Sequence, residues 1–230
     1  MAGLTAVELS CADLSVRELN EALHQLPDGT SVRITEPRGR HNLAVGLSTR
    51  LDITISGNAG YFIGALGDGP DIVVEGFVGW SVGENLMSGT IRVHGTASES
   101  AGASARGGLI VIEGDASSRA GISLKGGTIA IAGDAGHMSG FMAQAGTMLI
   151  GGDAAGSLGD SLYEAVIYVG GKVRSLGADA KIAELDGDDV ELVRDLAAAA
   201  GFGHVSAESV TKVVSAKNLY RFDALKDQRY

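Results

Sequence analysis

Glycine recurs through most of this chain at a fixed interval of 19 residues. One series consists of Gly57, Gly76, Gly95, Gly114, Gly133, Gly152 and Gly171. A second series with the same interval follows seven residues behind the first: Gly64, Gly83, Gly102, Gly121, Gly140 and Gly159. Two series that share one period indicate a repeat protein, in which each copy buries its apolar face only by stacking on its neighbours.

The residues ahead of each first-series glycine alternate as they do in a β-strand. One inward position is Ile53, Ile72, Ile91, Ile110, Ile129, Met148 and Ile167 in successive copies, and the next is Ile55, Val74, Val93, Ile112, Ile131, Ile150 and Val169. Such alternation is typical of strands with one buried face. Because the strand stops at a glycine, we expect the chain to turn there through a backbone conformation that a Cβ atom would obstruct.

Stacking the copies in register predicts an all-β fold, a single-stranded parallel β-helix of about seven to eight 19-residue coils. We expect a right-handed helix with two or three strands per coil, in which residues 32–50 form an imperfect first coil. A leucine-rich horseshoe is disfavoured because the Asn or Cys of its consensus is missing. A hexapeptide helix is disfavoured because six does not divide 19.

The ends of a β-helix are open strand edges, so both ends are expected to carry caps. We predict a strand and helix cap in residues 1–31, the β-helix in 32–185, and a helix with a tail in 186–230. Short helices are predicted at Ser15 to Leu26 and at Asp188 to Ala200, where capping residues precede apolar residues at helical spacing. The tail mixes basic and aromatic residues, which suits either folding back on the rod or docking on a partner.

Charge and cysteine content disfavour several classes of function. A formal net charge of −10 does not suit nucleic acid or an anionic membrane surface as a partner. Cys11 is the only cysteine, so this chain alone cannot form a disulfide framework, a CxxC zinc site or a cysteine-ligated iron–sulfur cluster. No signal peptide is visible, and no apolar run approaches the ~20 residues of a membrane span. We therefore expect a cytoplasmic protein.

Motifs of catalysis and cofactor binding are not found in the sequence. The glycines lack the strand, G-x-G-x-x-G and helix context of a dinucleotide fold, the histidines are scattered, and no G-x-S-x-G elbow occurs. Asp115, Asp134 and Asp153 form a row, for which solvated turn residues are favoured over a cation site. We therefore predict no catalytic, cofactor-binding or metal-binding residue, which leaves open whether the chain belongs to an enzyme complex.

Exposed aromatic residues distinguish the predicted outer surface. Trp80, the only tryptophan, lies directly above Tyr61 when the coils are stacked. Aromatic residues in such a position either pack against each other or form a hot spot for a partner. The candidate partner contacts are Arg40, His41, Asn42, Tyr61, Trp80, His137, Met138 and Phe141.

Several strings of the sequence resemble the GXGXG β-helix domain at the C-terminus of glutamate synthase large subunits. They are Arg40-His-Asn-Leu-Ala-Val-Gly46, Gly67-Asp-Gly-Pro70, Gly76-Phe-Val-Gly-Trp80, Met87-Ser-Gly89, Gly114-Asp-Ala116, Gly136-His-Met-Ser-Gly-Phe-Met-Ala143, Gly159-Asp-Ser161 and Ile167-Tyr-Val-Gly-Gly171. They are most similar to the stand-alone form of that domain, a separate subunit of three-part glutamate synthase-like enzymes such as N-methylglutamate synthase. The resemblance covers about residues 15–185 in order and spacing, although Glu36 departs from the Asn-Pro expected ahead of the first string.

The resemblance implies a non-catalytic structural subunit of a hetero-oligomer. Such a subunit holds a glutaminase-type amidotransferase subunit against a glutamate synthase-like subunit. In that family FMN and an iron–sulfur cluster are bound by the synthase part, so both cofactors are implied in a partner and not in this chain. Whether the nitrogen chemistry uses ammonia or methylamine is left open, because that choice is made in a different chain.

Two alternatives remain open. The β-helix subunit of formylmethanofuran dehydrogenase and of formyltransferase/hydrolase complexes is similar in repeat and also implies a scaffold. A free-standing carbohydrate-active β-helix is the alternative from a different class. Secreted enzymes of that kind would show a signal peptide and a broad carboxylate groove, and the sequence shows neither.

Overall fold

The computed structural model describes residues 7–217, and these form eleven strands and two helices. The strands are β1 (Val7–Ser10), β2 (Ser31–Thr35), β3 (Asp52–Ile55), β4 (Asp68–Val74), β5 (Ser88–Val93), β6 (Leu109–Ile112), β7 (Lys125–Ile131), β8 (Ala145–Ile150), β9 (Val166–Val169), β10 (Ala180–Ala183) and β11 (Thr211–Ser215). The helices are α1 (Val16–His24) and α2 (Gly187–Ala200). Neither described helix has the length and apolar character needed to cross a membrane.

Strands β1 to β9 form a continuous parallel ladder in which each strand pairs with the next one along the chain. From β3 to β9, paired residues are 19 apart, as Ile53 is from Ile72 and Met148 from Ile167, except where the register shifts at the first residues of β4 and β7. The prediction of an all-β parallel solenoid with 19-residue coils is therefore confirmed. The first coil is longer than predicted, because Val32 pairs with Ile53 and this coil contains 21 residues.

A second side of each coil is held together by single bridge residues and not by a regular strand. The parallel bridges join Val78, Ala97, Ala116, Ala135, Ala154 and Val173. A left-handed residue follows three positions later, such as Ser100 after Ala97, and an extended strand cannot continue through it. The expectation of two or three strands per coil was therefore wrong, since each coil has one regular strand.

The third side of each coil contains left-handed residues at alternate positions, and these explain the second glycine series. In the coil that follows β3, Phe62, Gly64 and Leu66 have φ angles of 59°, 65° and 58°. The same three positions are left-handed in the next five coils. A Cβ atom on Gly64 would lie 2.6 Å from Cδ1 of Ile91 and 2.9 Å from Cδ1 of Ile72. The middle position therefore requires glycine for its conformation and for the space that it leaves to the core.

The first glycine series has a different physical cause from the one expected. Of its seven members, only Gly57 is left-handed. The others lie where the backbones of adjacent coils approach each other closely. A Cβ atom on Gly95 would lie 2.9 Å from the carbonyl oxygen of Gly76, and one on Gly114 would lie 3.0 Å from that of Gly95. Close stacking of the coils, and not a special turn, selects glycine here, so this part of the prediction was wrong.

Helix α1 covers the N-terminal end of the core, as predicted. It begins with a capping box, in which the Ser15 hydroxyl accepts from the backbone N–H of Glu18 and the Glu18 carboxylate accepts from the N–H of Ser15. Leu19 and Leu23 on its inner face are fully buried in the same core as the inward residues of the strands. The first coil therefore does not expose its apolar interior.

Helix α2 lies on the outer face of the sheet and not, as predicted, over the end of the rod. It packs against the outward residues of β6 to β9, which are Val111, Ala130, Leu149 and Tyr168. At the equivalent outward positions, β3 and β4 carry Thr54 and Val73, which lie outside this apolar cluster, and β5 carries Arg92, whose guanidinium donates to the carbonyls of Ala199 and Ala200 at the end of α2. The expected location was wrong because these apolar outward residues need a covering layer, and α2 supplies it.

A reversal of strand direction closes the C-terminal end of the sheet. Strand β11 pairs with both β9 and β10 in antiparallel orientation, with Val213 opposite Ile167. This leaves the short strand β10 at the edge, where the exposed Lys181 disfavours pairing with another chain. Residues 206–217 of the tail therefore fold back on the rod, whereas the rest of the tail, 218–230, lies outside the described residues.

A buried polar cluster attaches α2 to the last strands. The carboxylate of Asp189 accepts hydrogen bonds from the Tyr168 hydroxyl at 2.5 Å and from the Lys212 ammonium. Burial by itself raises the pKa of the Asp189 carboxyl, but the hydrogen bonds from Lys212, Tyr168 and the Asp186 backbone outweigh it and lower this pKa to about 2. Burial and the bond to Asp189 raise the pKa of Tyr168, so its hydroxyl stays protonated as a donor.

Acid is expected to weaken this cluster. Because the folded pKa of Asp189 is depressed, its contribution to stability is present above the pKa of ~4 of an unfolded Asp and is lost as the pH falls towards about 2. The free energy of unfolding of Asp189→Asn should therefore fall less between about pH 5 and pH 2 than that of the unmodified chain. Urea unfolding followed by circular dichroism measures this difference, and equal falls in the two proteins would contradict the role of Asp189.

A side chain at the second glycine series is expected to disrupt the coils. Gly121 has a φ of 70°, and a Cβ atom there would lie 2.5 Å from Sδ of Met148. Gly121→Val should lower the free energy of unfolding by about 2–5 kcal/mol through backbone strain and overpacking. Gly203→Val is the control, because an added Cβ meets nothing within 4 Å there. Similar urea midpoints for the two variants would contradict the explanation.

Candidate functional site: an aromatic column on the outer face

Backbone hydrogen bonds align one outer position of each coil into a straight row. Phe62 donates to the carbonyl of Trp80 at 2.8 Å, and Ser81 donates to the carbonyl of Glu99 at 2.9 Å. The same bond recurs from coil to coil. The residues aligned in this way, which we name the outer row, are Tyr61, Trp80, Glu99, Ser118, His137 and Gly156. Their side chains therefore follow one another at the interstrand spacing of ~4.8 Å.

Three aromatic rings stack at the start of the outer row. The ring centroids are 4.2 Å apart for His41 and Tyr61 and 5.0 Å apart for Tyr61 and Trp80, with interplanar angles of 21° and 10°. Tyr61 is 36% exposed and Trp80 is 48% exposed. We name His41, Tyr61 and Trp80 the aromatic column. The predicted alignment of Trp80 with Tyr61 is thus present, and His41 extends it by one ring.

Glycines ahead of the rings make this stack possible. A Cβ atom on Gly60 would collide with the ring of His41, and one on Gly79 would collide with the ring of Tyr61. The Nδ1 atom of His41 also accepts a hydrogen bond from the backbone N–H of Tyr61 at 2.8 Å. The rings are therefore held in fixed positions, which reduces the entropy that is lost when a surface of this kind binds a partner.

Arg40 and Asn42 connect the first coil to the N-terminal cap. The guanidinium of Arg40 donates to the carbonyl of Leu14 at 3.1 Å, and the carbonyl of Asn42 accepts from the side-chain amide of Asn20 at 2.7 Å. Arg40 is half-buried, whereas Asn42 is exposed. Both candidates therefore have contacts within the chain, and these contacts place the aromatic column next to α1.

The other three candidates lie further along the same face. His137 occupies the outer row three coils beyond Trp80, ~14 Å along the rod at the interstrand spacing, and its Nδ1 donates to the carbonyl of Gly156 at 2.9 Å. Met138 and Phe141 are half-buried close to it in sequence. The structure thus divides the eight candidates into a group around the aromatic column and a second group at His137. Their role as partner contacts stays a prediction.

Several exposed apolar residues near the column were missed by sequence reasoning. Phe62 is 39% exposed, Leu66 is 57% exposed and Phe77 is 51% exposed. A signal for them exists in the repeat itself, because the next two coils have Ser81 and Ser100 at the position of Phe62. A large apolar residue at a position that small polar residues fill in neighbouring coils indicates an outward surface and not a core contact.

The aspartate row connects adjacent coils. Oδ1 of Asp115 accepts from the backbone N–H of Asp134 at 2.8 Å. In the same way, Oδ1 of Asp134 accepts from the backbone N–H of Asp153, and Oδ1 of Asp153 accepts from the backbone N–H of Lys172, both at 2.7 Å. Each carboxylate therefore satisfies a backbone donor of the next coil. Within residues 7–217, no group of three or more His, Cys, Asp or Glu side chains is arranged to hold a metal ion.

A comparison with curated proteins finds a partial likeness. The chain is similar to "Protein GlxC" of Rhizobium meliloti (strain 1021), with 41% identity over 64 residues. The matched segment covers 26% of this chain and 28% of that protein, so the chain spans little more than a quarter of the relative it matches. No protein-family model matches the chain.

Removing the middle ring is expected to expose its neighbour. Because Trp80 is the only tryptophan, its fluorescence reports on the column alone. Tyr61→Ala should increase quenching of this fluorescence by acrylamide and lower the free energy of unfolding by about 0.5–1.5 kcal/mol, the value of an aromatic pair. Tyr163→Ala, at an exposed position outside the column, should leave the quenching unchanged. Unchanged quenching in Tyr61→Ala would show that the rings do not stack in solution.

Proposed function

We propose that this chain is a non-catalytic structural subunit of a heteromeric glutamate synthase-like enzyme, of the N-methylglutamate synthase or glutamate synthase type. In this role it bridges a glutaminase-type amidotransferase subunit and a synthase subunit that binds FMN and an iron–sulfur cluster. The observation that carries the proposal is the 19-residue solenoid, because the strings that resemble the glutamate synthase domain all lie within its coils, between Arg40 and Gly171.

The placement of these strings supports a scaffold. Gly76-Phe-Val-Gly-Trp80 contains a close-approach glycine, the bridge residue Val78 and a residue of the outer row. Gly136-His-Met-Ser-Gly-Phe-Met-Ala143 contains the outer-row residue His137 and the left-handed Gly140. The resemblance therefore involves residues that set the shape of the coil together with residues that the coil presents outward. The partial likeness to "Protein GlxC" shows that a segment of this chain, aligned over 64 residues, has a counterpart in another protein.

The geometry of the rod suits a rigid spacer between two partners. Seven coils at the interstrand spacing of ~4.8 Å give a length of ~34 Å. Backbone hydrogen bonds join each coil to the next on several sides. Within the described residues, the ladder from β1 to β9 is therefore continuous, which favours a rigid rod. The aromatic column lies towards one end, and the exposed Ile182 of β10 lies at the other. Separate partners therefore have separate surfaces to bind.

Co-expression with an amidotransferase subunit and a synthase subunit of this type from the same organism tests the proposal. The three chains should co-purify as a complex with flavin absorbance, and only the complex should form glutamate or N-methylglutamate. Changing both Tyr61 and Trp80 to Ala should weaken the assembly at least about tenfold, as expected for buried aromatic hot spots. His94→Ala, at the exposed position directly after β5, is the matched control and should leave assembly and activity nearly intact.

Three results would contradict the proposal. Glutaminase or synthase turnover by the pure chain would make it catalytic. Co-purification with a metal-dependent hydrolase in place of the two subunits would favour the formyltransferase/hydrolase alternative. An assembled but inactive His94→Ala complex would assign that residue a part in the chemistry.

A further inference from the structure

Trp80 ends the aromatic column with one ring face against Tyr61 and the other directed at the next coil. Tyr61 stacks on it with a centroid distance of 5.0 Å. On the other side, the next residue of the outer row is Glu99, whose carbonyl accepts from the N–H of Ser81. A carboxylate-bearing residue therefore follows the indole at ~4.8 Å along the rod. The face of an indole ring carries negative charge density, so the ring and the carboxylate both favour a cation.

A second carboxylate borders the same surface. The N–H of Leu66 donates to the carbonyl of Glu84 at 2.8 Å, which places Glu84 beside this exposed residue in the next coil. Glu84 and Glu99 are half-buried, and within residues 7–217 neither side chain has a salt bridge or a hydrogen bond. Glu113, by contrast, is paired with Arg92 at 3.0 Å. The carboxylates of Glu84 and Glu99 therefore have no cationic partner within the described part of the chain.

The centre of this surface is apolar. Phe62 and Leu66 are 39% and 57% exposed, and Tyr61 and Trp80 are similarly exposed. An apolar centre with a charged border is the usual anatomy of a protein–protein interface. Among cations, a guanidinium fits best, because it stacks on aromatic rings and also binds a carboxylate through two parallel hydrogen bonds.

We propose that the surface formed by Tyr61, Phe62, Leu66, Trp80 and Glu99 docks an arginine side chain of a protein partner. The guanidinium lies on the face of Trp80 that Tyr61 does not cover and pairs with Glu99, while apolar residues beside the arginine contact Phe62 and Leu66. The inference rests on the proposed function for the existence of a partner subunit. The chemistry of the surface does not depend on which activity that subunit has.

The single tryptophan makes this surface directly observable. In a ¹⁵N-labelled chain, Trp80 gives the only indole N–H resonance. The probe is the peptide acetyl-Gly-Leu-Arg-Leu-Gly-amide, and its matched control carries citrulline, which has the shape of arginine without the charge. The arginine peptide should shift the indole resonance with an affinity about fivefold higher than that of the control, from cation–π and ion-pair terms. Salt at about 0.5 M should reduce this difference by screening.

Variants of the chain distinguish a specific contact with Glu99 from a general attraction of the arginine peptide to the negatively charged protein. Glu99→Gln should remove the preference for arginine, whereas Glu164→Gln, which changes an exposed carboxylate outside the surface, should preserve it. Equal affinities of the two peptides, or an undiminished preference in Glu99→Gln, would overturn the inference. The peptides require no partner subunit, so this test is independent of co-purification. A complex that assembles without any arginine preference refutes the docking chemistry alone, whereas a preference without a complex refutes the proposed function alone.

Discussion

Backbone hydrogen bonding between successive coils is the constraint on which this structure depends. Because successive coils bond to each other along most of their path, the coils from β3 to β9 share one length and one shape. This requirement accounts for the 19-residue period and for glycine wherever two backbones nearly touch. The apolar core follows from it, since in-register stacking places Ile on Ile and fills a narrow interior without large aromatic residues.

The repeating part of the fold could be predicted from the sequence because its determinants are local and periodic. Inward residues such as Ile53 and Ile72 identify the strands by alternation alone. The ends could not be predicted in the same way. The outward residues Val111 and Tyr168 signal that something covers them, but periodicity does not say that the cover is α2. Nor does the sequence of β11 reveal its antiparallel pairing with β9, since strand direction depends on the path of the intervening chain.

The candidate site shows the same division between repeat and exception. Tyr61 and Trp80 are one period of 19 residues apart, so the repeat alone predicted that they align. His41 joins the stack from a first coil that is two residues longer than the others, and a strict period does not place it there. The contacts of Arg40 with the cap depend on where α1 lies. Residues at the junction of repeating and non-repeating structure were therefore identified as candidates, but their geometry required the structure.

The two ends of the rod are built from elements that do not repeat, whereas the coils between β3 and β9 are equal in length. A gain or loss of one 19-residue unit in this region would change the separation of the ends by one strand spacing, ~4.8 Å, and would leave both end structures intact. The distance between the two end structures of such a rod therefore changes only in steps of whole coils.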